Sequence, residues 1–224
     1  DGTEATYTLT ATVDGTTPVE KPSDKYTDLD KVYSGHLERV KHAIDNGLMS
    51  NDGKVGEFNP EGKIARRDFA LIVARADMKL AKPDVEDIDA LLVEKYEGSE
   101  DAFDDISSLN PTQKAAVAYC KENDIISGNG KGSFNPGGAV SREDAAIIIA
   151  RWCKLDVTDA NDTNNIKDWS NVNNWAKPYV NAVYKAGLMN GTGGGNFTPA
   201  RNLNRGEAAY IIVGALEEKS PSSN

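Results

Sequence analysis

Three arginines are placed where they could hold an anion. Arg66, Arg142 and Arg205 each stand where a helix should begin, 76 and then 63 residues apart. A guanidinium in the first turn opposes the helix dipole, at a cost of ~0.3–1 kcal/mol when exposed. A chain that accepts this cost three times needs a reason. One is an anion site, in which helix amides, a guanidinium fork able to grip a carboxylate in two places, and a close-approaching glycine loop converge on a ligand. The other is a set of internal pins, each arginine pairing with an aspartate upstream. Asp28, Asp105 and Asp168 lie 38, 37 and 37 residues before the arginines and are the candidates. Spacing alone leaves both open.

The elements that must position these residues also recur. Phe58-x-Pro60, Phe134-x-Pro136 and Phe197-x-Pro199 repeat with the same offsets of 76 and 63 residues. Each unit reads as entry segment, helix, glycine-rich loop, helix. In the first unit Leu37, Val40, Ile44 and Leu48 mark one helical face, and Phe69, Ile72, Val73 and Ala76 mark a second, from about Arg66 to Met78. In the second, a helix starts at Pro111, and another from Arg142 to about Lys154 is apolar nearly all round, capped by Ser141 with Asp144. In the third, Trp175, Tyr179, Val180, Val183 and Tyr184 build one helix, and Asn204 caps the last, Arg205 to about Glu218. The fold class expected is all-α, with an extra acidic helix at about 85–97.

The arginine-centred segments Ile64-Ala65-Arg66-Arg67-Asp68, Val140-Ser141-Arg142-Glu143-Asp144 and Leu203-Asn204-Arg205-Gly206-Glu207 resemble the Ile-Thr-Arg-Ala-Glu signature of the S-layer homology domain. The third unit is the most typical, with Trp175-Ala176, Gly187-Leu188, Gly191 and Phe197-Thr198-Pro199. The resemblance implies a tandem of three in a pseudo-threefold assembly: 26–78, 103–155 and 166–218. Residues 1–25 read as a strand remnant (Thr6 to Val13) and linker, 79–102 as an acidic connector, 156–165 as a polar linker and 219–224 as a disordered tail. It also implies a noncovalent anchor, part of a larger bacterial surface protein, that binds an acidic secondary cell-wall polysaccharide, commonly pyruvylated, in grooves between units. Peptidoglycan is a further wall component such a module could meet. Carried onto this chain, Arg66, Arg142 and Arg205 become groove residues, and Gly128 and Gly191 permit close backbone contact. The first unit departs from the signature, with Ala65 at the cap and Asn51 at the glycine.

Composition is compatible with this reading. The net charge of −10 is concentrated in residues 77–105, where eleven acids face three lysines, so an anionic partner stays possible. Nucleic acid is not expected, and no apolar run is long enough for a membrane span. Cys120 and Cys153 fall inside predicted helices and read as free thiols. The acidic connector and the 156–165 loop could offer oxygen ligands, but neither has calcium-loop spacing, and no metal or cofactor is expected. Trp169 could stack on a sugar or pack internally; Trp152 and Trp175 are expected in the core. Two other readings remain: a module whose grooves take a protein partner, and a glycan-processing enzyme. The latter needs two carboxylates across a cleft at roughly 5–10 Å. The acids Asp68, Asp144 and Glu207 read instead as first-turn helix residues, and no catalysis is expected.

Overall fold

The computed structural model describes residues 19–51, 53–99, 102–162 and 164–220. The strand expected at Thr6 to Val13 lies outside them. Among the described residues seven α-helices follow in order: α1 (Leu37–Asp45), α2 (Arg66–Ala81), α3 (Ile88–Lys95), α4 (Pro111–Glu122), α5 (Arg142–Trp152), α6 (Lys177–Lys185) and α7 (Arg205–Lys219). Among the described residues β-structure is confined to isolated bridges. The chain is all-α.

The helices pack as a closed ring. α4 lies chiefly against α2, α6 against α5, and α1 against α7. Each unit's first helix therefore covers the second helix of the unit before it, and the first unit closes on the third. The second helices are the inner ones, which is why α5 and α7 carry apolar residues around most of their circumference.

At the centre three short segments link head to tail. The amide of Ile64 donates to Leu203 O (3.2 Å), that of Leu203 to Val140 O (2.9 Å), and that of Val140 to Ile64 O (3.2 Å). All three side chains are fully buried, as are Phe58, Phe134 and Phe197 around them. A second tie crosses the inner helices. The carboxylate of Asp77 on α2 accepts from Tyr119 Oη (2.7 Å) on α4 and Trp152 Nε1 (2.8 Å) on α5. Lys219 on α7 donates to Trp152 O at 2.8 Å. Burial and the Asp77 carboxylate push the Tyr119 hydroxyl above its ordinary range.

The acidic connector holds α3, capped by Asp87 and docked by Ile88 and Leu92. Asp89 takes a bidentate grip from Arg75, at 2.7 Å from Nε and 2.5 Å from Nη2. The expected linker before residue 26 is partly built into the fold: Pro22–Lys25 forms a short 3₁₀ turn, and Ser23 N donates to Asp45 at 2.8 Å. Cys120 is buried and Cys153 half-buried, both free. Burial raises both thiols, that of Cys153 to about 11. Trp152 is a core residue; Trp175 is not, being 54% exposed. Its neighbour Ala176 takes the buried place before α6, so Trp175 points outward.

Candidate functional site: the grooves between units

Each Phe-x-Pro loop is held from two sides. Asp28 accepts from the amides of Phe58 and Asn59 (2.8 and 2.8 Å), Asp105 from Phe134 and Asn135 (2.8 and 2.8 Å), and Asp168 from Phe197 and Thr198 (2.7 and 2.7 Å). From the other side comes the arginine of the preceding unit. Arg66 Nε donates to Phe134 O (2.9 Å), Arg142 Nε to Phe197 O (2.7 Å) and Arg205 Nε to Phe58 O (2.9 Å). Each guanidinium also lies over the ring of the same phenylalanine, at 5.0, 4.7 and 4.9 Å from its centroid. Arg142 reaches further, to Asn190 O at 2.5 Å, and Arg205 to Ser50 O.

Two expectations are corrected here. The arginines and entry aspartates do not form ion pairs among the described residues; they meet on opposite edges of one loop. Nor are the helix amides free for an anion. Those of Arg66 and Arg67 donate to Gly138 and Pro136, those of Arg142 and Glu143 to Arg201 and Pro199, and those of Arg205 and Gly206 to Gly62 and Pro60. The next amide in α5 and α7 is satisfied by the capping side chains of Ser141 and Asn204. Asp105 and Asp168 are therefore loop clamps. Burial works to raise the Asp105 carboxyl, but the amides of Phe134 and Asn135 outweigh it and hold it below the usual carboxylate range.

The glycines serve the loops first. Gly128 has φ +63°, and a Cβ there would stand 2.5 Å from the Phe103 ring and 2.6 Å from Ser133 O. A Cβ on Gly191 would stand 2.7 Å from Asn196 O. Trp169 is half-buried, with the Lys177 ammonium 6.0 Å from its ring centroid.

Two grooves open between units at equivalent places. The α7 groove, of about 860 Å³, runs between the third unit's loop at Asn190–Gly193, the start of α7 and the first unit's entry at Lys31–His36. Of the sequence candidates it brings together Arg142 and Gly191. The α2 groove, of about 450 Å³, is lined by Ser50, Asn51, Lys63, Arg67, Asp68 and Arg205 among others. It contains both departures of the first unit, Asn51 and Ala65. Gly128, Trp169, Asp105 and Asp168 line neither groove.

The α7 groove also has an aromatic wall that the sequence did not reveal. His36 stacks on Tyr210 with centroids 4.0 Å apart and planes at 22°, and Tyr33 meets His36 edge-on at 5.1 Å. Tyr33 is 71% exposed. Burial lowers the His36 pKa and Arg39 adds to this, only partly offset by Glu207, so the ring is neutral at pH 7. Burial, helped by Arg201, brings the Arg142 guanidinium down to about 10, which still leaves it charged. Among the described residues Nη1 of Arg142 has no hydrogen-bond partner, and Arg142 is on the groove lining. Glu207 is already committed, to Arg201 at 2.6 and 3.1 Å and to Asn204 N at 3.1 Å.

With this geometry in view, residues 102–146 and 165–209 match the model of the S-layer homology domain. The two matched segments fall on the second and third units. The chain is 34% identical to an S-layer protein of Bacillus licheniformis over 106 residues, 46% of this chain and 12% of that protein. It is 31% identical to S-layer protein EA1 of Bacillus anthracis over 106 residues, 47% of this chain and 12% of that protein. A longer stretch, 166 residues or 72% of this chain, is 28% identical to 8% of an amylopullulanase of Thermoanaerobacterium thermosulfurigenes. The chain thus spans about an eighth or less of the length of these relatives. No group of three or more His, Cys, Asp or Glu among the described residues is placed to hold a metal, and no helix there is long and apolar enough to cross a membrane.

Proposed function

We propose that the chain is a cell-wall anchoring module that binds an acidic secondary wall polysaccharide in the α7 groove, and that residues 26–78 are a third, divergent S-layer homology repeat. The S-layer homology matches and the S-layer relatives support a location at the cell wall or S-layer. The observation that carries the glycan reading is the makeup of the α7 groove: a charged, half-satisfied Arg142 beside the exposed ring of Tyr33 and the His36–Tyr210 stack. A guanidinium recognises the carboxylate of an acidic sugar, such as a pyruvate ketal, while aromatic faces cover its apolar side. The divergent first repeat is supported by its aspartate, phenylalanine and arginine, which make the same contacts as those of the other two units.

Glu207, which lines the α7 groove together with Glu61, is not tuned as the general acid of glycan cleavage. Burial alone would raise its carboxyl, but Arg201 and the Asn204 amide outweigh burial and hold it below its ordinary value. A general acid on a glycosidic oxygen needs the opposite shift. The similarity to an amylopullulanase is then that of a shared anchoring segment. The test is cosedimentation with purified Gram-positive walls before and after chemical removal of the secondary polysaccharide. Binding that disappears with the polysaccharide is expected; binding that survives would transfer the role to peptidoglycan or a protein partner.

A further inference from the structure

The place equivalent to the α7 and α2 grooves lies, at α5, between the start of that helix and the entry segment of the third unit. In register, the residue after each arginine corresponds to the residue five places after the next unit's aspartate. Around the ring these pairs are Gly206 with Tyr33, Arg67 with Asn110, and Glu143 with Asn173. Gly206 and Tyr33 both line the open α7 groove. Their counterparts Glu143 and Asn173 are bonded to each other: one carboxylate oxygen accepts from Asn173 N at 3.1 Å and the other from Asn173 Nδ2 at 2.6 Å. Glu143 is 5% exposed. A carboxylate gives up that much water only where donors replace it, and here both come from the neighbouring unit's entry segment. Arg66, the arginine of this position, is half-buried with its Nε on Phe134 O.

We infer that Glu143 is a built-in occupant of the α5 groove, its carboxylate holding donors that an acidic ligand would otherwise approach, so that the chain offers fewer glycan sites than it has grooves. This rests on the glycan reading above. An acidic sugar entering there must displace a carboxylate from the donors of Asn173, whereas Gly206 places no carboxylate at the equivalent position; of the two acids on the α7 groove lining, Glu61 and Glu207, the latter is paired with Arg201. A Cβ on Gly206 would make only ordinary contacts, 3.4 Å to Pro60 O and 3.5 Å to Asn204 Oδ1, so packing does not itself demand glycine there. The residue following the arginine thus sets which grooves are open.

The experiment is calorimetric titration of the chain with a methyl hexoside carrying a 4,6-linked pyruvate ketal, comparing wild type with Glu143→Gly. Glu143→Ala is the second variant, which keeps helix propensity in case the glycine unsettles α5; thermal unfolding confirms that each is folded. The expected result is one additional site per chain in both folded variants. Wild type filling three sites, or a folded variant filling no more than wild type, overturns the inference while leaving the glycan reading intact. Wild type binding none of the ketal overturns the glycan reading for this sugar, and this inference with it.

Discussion

The α7 and α5 groove positions are built on the same frame and differ in the residue after the arginine and in the entry-segment residue paired with it, Gly206 with Tyr33 at one and Glu143 with Asn173 at the other. In both, an entry aspartate clamps a Phe-x-Pro loop, and an arginine from the preceding unit ties the loop's carbonyl. Gly206 leaves its groove open to the aromatic wall, whereas Glu143 crosses to Asn173. The frame is what makes the fold, and access is decided by residues the frame does not need. The same split separates Arg142, which supports the frame and lines an open groove, from Arg66, whose guanidinium among the described residues donates to Phe134 O alone.

The largest effect should come from moving the plug. Gly206→Glu combined with Tyr33→Asn recreates the Glu143–Asn173 pair in the α7 groove and should weaken wall cosedimentation at least tenfold with little change in unfolding temperature; unchanged binding would break the comparison. Next, Arg142→Ala strips the carbonyls of Phe197 and Asn190 of a charged donor. It should cost roughly 2–4 kcal/mol of stability in denaturant unfolding, and reduce wall binding more than Arg66→Ala, which should cost about 1–2 kcal/mol. Equal losses would remove the distinction between the two positions. Tyr33→Ala should lower wall affinity about three- to tenfold while leaving stability within about 0.5 kcal/mol, because the ring is mostly exposed.

The smallest effect concerns acid. The Asp105 and Glu207 carboxyls lie below their ordinary values in the folded state, so the stability they add is present above about pH 4.5 and is lost as the pH falls through their lower folded values. Asp105→Asn should remove part of that slope in unfolding measured between pH 5 and pH 2; an unchanged slope would show that the loop clamp does not depend on the carboxylate.

Much of the frame was legible in the sequence because its markers are side chains at fixed spacing. The apolar run Ala145 to Ala150 announced an inner helix, Ser141 and Asn204 announced caps, and Ile88 with Leu92 announced an extra helix in the acidic connector. What the arginines bind was not legible, since a main-chain carbonyl leaves no mark in a sequence. The spacing matched each arginine with the aspartate of its own unit, whereas packing delivers it to the next unit's loop. The groove wall was hidden for a related reason. Tyr33, His36 and Tyr210 come from opposite ends of the chain and meet only when the first unit closes on the third. Trp175 misled because an aromatic at a helix start reads as core, while Ala176 holds that place. The contrast of Gly206, Arg67 and Glu143 was available once the units were registered, but its meaning required the residue opposite.

The most direct test of the account is an NMR titration of the isotopically labelled chain with polysaccharide released from Gram-positive walls. The account predicts shifts at Tyr33, His36, Gly191 and the Arg142 side chain, with Asn173 and Gly128 unmoved. Shifts centred on Asn173, or none in the α7 groove while the chain still cosediments with walls, would contradict it.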